Sequence, residues 1–300
     1  MPLENQLHVD SLLSQISAKY RNENHVAMEL FPEVPVKKSS DLYRVYERNF
    51  RIPETKRSPK AAARELDFNV SSSTYVLERH ALRNFVSDND ADNYDLADLR
   101  AEVTEDLSEK ILMRMEKDVA TLITTTSWSL NLSLTSTNAW NATTTVDPVE
   151  HFDTGTVSVV QNSGQMPNIA AMGLGAWNAF KNNDQVLDRV KYTSRELGMD
   201  IAAALIGAEK IVVSSMAEDT AAEGATASLA SLWNDAVLWA WRPAAPGPLK
   251  PAAGYIFRKS LAMVKRYRVE ERESDAIEVN MEYSVRVVAS LSGFIIKDVT

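Results

Sequence analysis

The residues best spaced for metal binding are Asp88, Asp90 and Asp92, which occupy the first, third and fifth positions of a calcium-binding loop. The glycine that such a loop needs at its sixth position is replaced by Asn93, and the closing glutamate by Leu99. Asp and Asn side chains also accept hydrogen bonds from the free N–H groups in the first turn of a helix. We therefore interpret the cluster as a helix N-cap rather than a metal site.

Other residues that could act in catalysis or ligation are dispersed along the chain. Gly173-Leu174-Gly175 lacks the third glycine of a dinucleotide-binding loop and follows no clear strand pattern. The absence of cysteine excludes disulfides, thiolate catalysis and Cys-ligated metal centres. No histidine has a neighbour at ligand spacing; the histidines are His8, His25, His80 and His151. We expect no catalytic, cofactor-binding or metal-binding residues, and hence no enzyme.

The composition is that of a globular protein with a substantial interior. With 300 residues, 45% of them hydrophobic and 24% charged, the chain can bury one large core or two smaller ones. A net charge of -9 disfavours contacts with nucleic-acid phosphates. No run approaches the about 20 apolar residues of a membrane span, and residues 1–20 show no secretory-signal pattern. We expect intracellular synthesis and no membrane partner.

The longest regular pattern predicts a helix over residues 96–123, which the Asp-rich cluster precedes. Its apolar residues recur at steps of three and four, so they form one stripe along a helix. At a rise of about 1.5 Å per residue the helix would be about 42 Å long, which suits a strut lying across a sheet. The stripe consists of Leu96, Leu99, Val103, Leu107, Ile111, Met115, Val119 and Leu122.

Residues 30–68 form a basic segment in an otherwise acidic chain, with lysines and arginines among four prolines. Mixed alternation over residues 41–52 and 70–77 predicts two exposed strands of one long ribbon. An isolated two-stranded ribbon is at best marginally stable in water, so this one needs a partner surface. A basic ribbon on an acidic body is complementary to another copy of the chain, and contacts of that type generate rings and shells.

The second half of the chain predicts a mixture of short helices and strands, and hence an α+β fold. A Trp-rich helix is predicted at 232–241, as core or subunit interface, between proline-rich flanks. Further elements are an exposed ribbon or loop at 124–145, a helix at 169–180, a strand at 210–214, a hairpin of 255–268 with 276–289, and a last strand at 293–299.

The order of these pieces resembles that of the major capsid proteins of tailed bacteriophages, which have the Hong Kong 97-like fold. The resemblance covers essentially the whole chain, and it is the order of the motifs that is specific. The segments that carry it are residues 75–88, residues 95–123, Gln165-Met166-Pro167-Asn168-Ile169 with residues 186–192, and residues 232–257.

The resemblance implies a division of the chain into the parts of such a subunit. These are an N-terminal arm (1–34), an extended β-loop (35–70), a peripheral domain (71–154) with a spine helix at 96–123, an axial domain (155–254), a peripheral-domain hairpin (255–290) and an axial-domain return strand (291–300).

The resemblance also implies a function, which is self-assembly into pentamers and hexamers of an icosahedral head around double-stranded DNA. The implied partners are scaffolding, portal and possibly decoration proteins, and the implied location is the virion, assembled in the host cytoplasm. Two alternatives remain, an encapsulin-type compartment shell and an acidic α+β enzyme with an unrecognised site. The implied contacts between subunits are Arg51, Lys56, Arg57 and Lys60 in the loop, Glu218 and Asp219 near the capsomer axes, and Glu270, Glu271 and Arg272 near a threefold junction.

Some members of this family join a loop lysine covalently to an asparagine of a neighbouring subunit. Lys56 and Lys60 lie in the matching loop. Such a bond also needs a desolvated carboxylate as base, and no motif identifies one. We therefore expect no covalent cross-link.

Overall fold

The computed structural model of the protein describes residues 25–46, 50, 52–58, 62–63, 65–66, 70–89, 99–142, 146–191, 197–222, 224–233, 235–247, 250, 252–259 and 263–300. These residues form an α+β fold with two five-stranded sheets and two small two-stranded sheets. The predicted fold class is confirmed.

The helices within the described residues are named in chain order. They are α1 (Ala27–Leu30), α2 (Leu99–Thr125), α3 (Pro148–Ser163), α4 (Leu174–Lys181), α5 (Asp184–Val190) and α6 (Met199–Ile206). Two short 3-10 turns span Glu270–Arg272 and Ser290–Ser292.

The strands of the same residues are numbered in the same way. They are β1 (Glu33–Pro35), β2 (Ser40–Tyr46), β3 (Val70–Val76), β4 (Glu78–Ser87), β5 (Asn131–Ser133), β6 (Ile169–Gly173), β7 (Lys210–Ser214), β8 (Ala217–Asp219), β9 (Leu229–Ser231), β10 (Val237–Ala240), β11 (Gly254–Arg258), β12 (Met263–Val269), β13 (Ser274–Val287) and β14 (Gly293–Lys297).

The first sheet is built on the long strand β13. The N-terminal part of β13 lies between β12 and β4, antiparallel to both, and its C-terminal end pairs with β11. Strand β1 adds to β11 in parallel orientation. Helix α2 packs against this sheet, with Leu107, Ile111 and Met115 in one core with Ile277 and Val279. The predicted strut across a sheet is therefore confirmed.

The structure shifts the bounds of the predicted long helix. The predicted residues 96–98 lie outside the described residues, and the helix continues to Thr125, beyond the predicted end at 123. In this last turn the hydroxyls of Thr124 and Thr125 donate hydrogen bonds to the carbonyl oxygens of Ala120 and Thr121, one turn earlier.

The second sheet has the strand order β5-β14-β10-β6-β7 and is covered on both faces. Because side chains alternate along a strand, Ala171, Leu238 and Ile295 join the core that contains α2. Their neighbours Met172 and Trp239 point the other way, into a second core with residues of α3, α4 and α6. The sheet is therefore the middle layer of the protein.

Burial on both faces explains two wrong predictions. Residues 169–180 were predicted as one helix, but Ile169–Gly173 is the strand β6 and only the rest is helical. The predicted Trp-rich helix at 232–241 contains the strand β10, all of whose residues are buried. A strand covered on both faces is continuously apolar, and so lacks the alternation that would separate it from a helix. Gly173-Leu174-Gly175 thus does follow a strand, although the third glycine is still missing.

Helix α3 was not predicted, although its ends carry clear signals. The side chain of Asp147 accepts a hydrogen bond from the backbone N–H of Val149, and Pro148 follows at the first helical position. Gly164 ends the helix with φ of 69°, a conformation that favours glycine. A side chain at Gly155 would place its Cβ 2.7 Å from the Phe294 ring, so glycine permits the close packing of α3 on β14.

The segment at 124–145 was predicted as an exposed ribbon or loop, and the structure shows otherwise. Its strand β5 pairs in parallel with β14 in the second sheet. Trp128, Leu134 and Trp140 are buried. The predicted strand at 210–214 and the hairpin of 255–268 with 276–289 are confirmed, except that the first hairpin arm is divided into β11 and β12. The strand predicted at 293–299 is present but ends at Lys297, before Asp298 with φ of 58°.

Candidate assembly surfaces

The basic ribbon is anchored to the first sheet by aromatic residues at its base. Strands β2 and β3 pair antiparallel along their whole length. The Tyr75 ring of β3 stacks on Phe257 of β11 with centroids 4.8 Å apart, and the Tyr43 ring of β2 lies 5.4 Å from Phe257. The two predicted strands are thus present, although β2 ends at Tyr46 and the described residues 50 and 52 are not part of it, short of the predicted end at 52.

Two of the four basic loop residues singled out in the sequence lie in the described part of the chain. The side chains of Lys56 and Arg57 are exposed. Arg51 and Lys60 lie outside the described residues. The structure therefore presents Lys56 and Arg57 at the surface.

The turn between β12 and β13 exposes carboxylates and holds its arginine against the sheet. Glu270 and Glu271 are exposed in the 3-10 turn. The guanidinium of Arg272 lies 4.5 Å from the centroid of the Phe85 ring on β4, and that of Arg83 lies 4.8 Å from it. Cation–π contacts of this kind hold the turn in place through β4.

Beside this turn, Asp275 of β13 is the centre of an arginine cluster. Its Oδ2 atom lies 2.9 Å from Nη2 of Arg100 and 2.8 Å from Nη2 of Arg266. Arg268 pairs with Asp88, and this contact lowers the pKa of the Asp88 carboxyl. Asp88 therefore binds an arginine of the first sheet, and its predicted role as a helix cap involves residues outside those that the structure describes. Asp90 and Asp92 lie outside the described residues.

The small ribbon of β8 and β9 contains the two acidic residues expected near the capsomer axes. Glu218 forms an ion pair with Lys117 of α2 within the same chain. Asp219 accepts hydrogen bonds from the backbone N–H groups of Ala221 and Ser228, which lower its pKa. Both carboxylates thus fix the conformation and position of their own ribbon.

Sequence reasoning missed Glu116, a fully buried glutamate on α2. Its Oε2 atom accepts hydrogen bonds from the backbone N–H groups of Val26 at 3.1 Å and Ala27 at 2.7 Å, at the start of α1. Its Oε1 atom accepts one from Nε1 of Trp233 at 2.7 Å. Burial raises the pKa of Glu116, and the hydrogen bonds from Ala27 and Trp233 oppose that rise. In the sequence, the one sign of Glu116 was its position directly after Met115, a residue of the apolar stripe of the predicted helix.

Two of the described histidines, His80 and His151, make structural contacts with aromatic residues. His80 stacks on Tyr283 with ring centroids 4.4 Å apart, and Nδ1 of His151 accepts a hydrogen bond from Nε1 of Trp140. Among the described residues, no group of three or more His, Cys, Asp or Glu could hold a metal ion. The helices found there are also too short or too polar to cross a membrane.

Two curated phage proteins are similar in sequence to this chain along most of its length. The major capsid protein of Burkholderia phage BcepMu is 22% identical over 302 residues, covering 97% of this chain and 96% of that protein. The major capsid protein of Pseudomonas phage JBD67 is 25% identical over 263 residues, covering 85% of this chain and 78% of its own. No protein-family profile matches the sequence.

Solved structures extend this likeness to the fold. A phage-related protein from Bordetella bronchiseptica has a TM-score of 0.78 at 23% identity, with 98% of each chain covered. The capsid of the cyanophage P-SCSP1u has a TM-score of 0.60 at 11% identity, with 89% of this chain and 86% of that one covered. An encapsulin complex from Synechococcus elongatus has a TM-score of 0.56 at 12% identity, with 98% and 96% covered. The chain therefore has the Hong Kong 97-like fold of tailed-phage capsid proteins.

Proposed function

We propose that this chain is the major capsid protein of a tailed bacteriophage, which assembles as pentamers and hexamers into an icosahedral head around double-stranded DNA. The observation that carries the proposal is the alignment with the Burkholderia phage capsid protein, which spans 97% of this chain and 96% of that one. Because the match runs nearly from end to end in both chains, it concerns the whole subunit and not one shared motif.

The domain division belongs to this proposal. The arm (1–34), the loop (35–70), the hairpin (255–290) and the return strand (291–300) keep their predicted bounds, and the axial domain, predicted as 155–254, keeps its predicted end. The peripheral domain was predicted as 71–154, but Leu134, Trp140 and Phe152 pack in the core of the second sheet. This packing favours a boundary directly after α2.

The subunit contacts follow from what is left exposed. Lys56, Arg57 and Glu271 are exposed on the surface of the isolated chain and are candidates for contacts between copies. Glu270 is also exposed and lies 3.6 Å from Nε of Arg268, and Glu218, Asp219 and Arg272 likewise have partners in their own chain. Arg51 and Lys60 stay predictions.

The remaining partners follow from the proposed role. Scaffolding, portal and possibly decoration proteins would contact the shell in the host cytoplasm and in the virion. The net charge of -9 supports enclosure of DNA without sequence-specific binding, since phosphate contacts require lysine and arginine.

An encapsulin-type shell is the second candidate, because an encapsulin complex shares the fold with a TM-score of 0.56. The two candidates differ in their contents. A phage head contains double-stranded DNA, whereas a compartment shell contains a cargo protein.

Electron microscopy of the purified protein tests the proposal. We expect rings or closed shells, held by interfaces larger than the roughly 1,600 Å² of a standard complex. A protein that stays monomeric at high concentration, in sedimentation and in micrographs, contradicts it. Nuclease-protected DNA inside particles from infected cells supports the phage head, and a co-purifying enzyme in DNA-free particles supports the compartment.

A further inference from the structure

The base of the small ribbon of β8 and β9 is attached to α2 at two consecutive helix residues. Lys117 forms an ion pair with Glu218 of β8. Glu116 accepts a hydrogen bond from the indole N–H of Trp233, which follows β9 by two residues. Because both contacts lie at one level of α2, a shift of the ribbon base along the helix stretches them together.

Beyond its base, the small ribbon is stiffened from within. Its cross-strand pairs run from Ala217 with Ser231 to Asp219 with Leu229. The carboxylate of Asp219 also accepts a hydrogen bond from the backbone N–H of Ser228 at 2.8 Å, across the connecting loop. Leu229 is 74% exposed. The described contacts that attach this unit to the long helix therefore lie at its base.

The carboxylate of Glu116 holds the end of the predicted arm with its other oxygen. Its Oε2 atom accepts the backbone N–H groups of Val26 and Ala27, where α1 begins, whereas its Oε1 atom accepts the indole N–H of Trp233. All four residues are buried, so water cannot take the place of a lost partner. The two oxygens of one side chain thus serve two separate segments.

The two contacts strengthen each other because they share one negative charge. A buried carboxylate stays ionised only where hydrogen bonds replace its lost hydration, and hydrogen bonds to an ionised acceptor are stronger than those to a neutral one. Burial raises the pKa of Glu116, and the donors from Ala27 and Trp233 oppose that rise. Loss of the donor on one side therefore weakens the acceptor that serves the other side.

We propose that Glu116 couples the end of the arm to the base of the small ribbon, so that loosening of either segment loosens the other. Linkage makes such an effect reciprocal. The inference rests on the proposed shell function for its use in assembly, where the arm and this ribbon are expected to contact different neighbours. A contact made by the arm is then transmitted to the ribbon through the interior of the same chain, with Glu116 as the positioning residue.

Hydrogen exchange on the full-length chain tests the coupling, because it reports on the arm end separately from the ribbon. Trp233→Phe removes the indole N–H on the ribbon side, and the backbone amides of residues 25–30 should then exchange at least about fivefold faster. Trp128→Phe is the matched control. Trp128 is buried in the core that contains Trp233, but its indole N–H donates to the carbonyl oxygen of Ile123. This control should leave exchange at residues 25–30 unchanged.

Glu116→Gln supplies a second variant, because an amide has one acceptor oxygen and can serve only one of the two sides. In this background the effect of Trp233→Phe on residues 25–30 should fall below about twofold, since the residue that connects the two sides is gone.

Unchanged exchange at residues 25–30 in Trp233→Phe, or equal acceleration in Trp233→Phe and Trp128→Phe, would overturn the coupling and leave the proposed function standing. An undiminished effect of Trp233→Phe in the Glu116→Gln background would also overturn it. Failure of the wild-type chain to form rings or shells would instead overturn the proposed function, and with it the use of the coupling in assembly.

Discussion

Glu116 is a charged side chain held in the interior by three donors from two distant segments. The N–H groups of Val26 and Ala27 have no partner inside α1, because the first N–H groups of any helix lack one. The Trp233 indole N–H reaches the same carboxylate from the segment before β10. One side chain therefore joins the end of the arm, the long helix and the second sheet.

Replacing this carboxylate should be costly. We expect Glu116→Ala to lower the free energy of unfolding by about 3–5 kcal/mol, because it leaves buried donors without an acceptor and creates a cavity. Chemical denaturation measures the loss. Asp106→Ala is the control, since Asp106 forms an exposed pair with Lys110 on the same helix and should cost below about 1 kcal/mol. Similar losses in the two variants would contradict the role of Glu116.

His151 should make stability depend on pH. Burial lowers its pKa, although the charges of Asp147 and Glu150 oppose the change. The folded protein therefore holds the proton less tightly than the unfolded chain, so its stability is greatest above the usual histidine pKa and falls as pH decreases through that value. Protonation also removes the Nδ1 acceptor of the Trp140 N–H.

Thermal unfolding between about pH 7 and pH 5 checks this, with His151→Gln as the comparison because glutamine keeps an acceptor and does not titrate. The melting temperature of the wild type should fall further than that of the variant over this range. Parallel pH profiles would show that His151 contributes nothing to the pH dependence.

At the scale of elements, α3 depends on its N-cap. Asp147 accepts the N–H of Val149 and also pairs with Arg189 of α5. We expect Asp147→Ala to lower the free energy of unfolding by about 1–2 kcal/mol. Asp147→Asn keeps the capping oxygen and loses only the charge, so denaturant titration should show a smaller loss. Equal losses would mean that the pair with Arg189, and not the cap, stabilises this region.

At the scale of the whole molecule, we expect a shell held together by burial and not by covalent bonds. Lys56 is exposed and has no ion pair with a carboxylate in the described residues, whereas a cross-linking lysine needs a desolvated carboxylate beside it. Mature particles boiled in denaturing detergent should therefore give one band near 33.4 kDa, or slightly below it if the arm is trimmed. A ladder of covalent multimers would contradict this, and mass spectrometry of the linked peptides would identify the lysine.

The sequence by itself determined the elements whose pattern is local. The long helix has one face in contact with the interior and one with water, so its residues carry a periodicity of about 3.6 that can be read directly. Strand β7 was recognisable as a short run of β-branched residues, Ile211, Val212 and Val213. The loop residues Lys56 and Arg57 were identified from the basic composition of their segment, and both are exposed, as expected.

Only the tertiary structure identified the strands that are buried on both faces and the contacts between segments that are distant in the chain. Strands β6 and β10 were predicted as helical because the middle sheet is covered on both faces, which removes the alternation from their sequence. The partners of Glu116 lie 90 and 117 residues away from it in the chain, so no local spacing could identify them. Folding brings these segments together because the carboxylate and the N–H groups can enter the interior only as partners of one another.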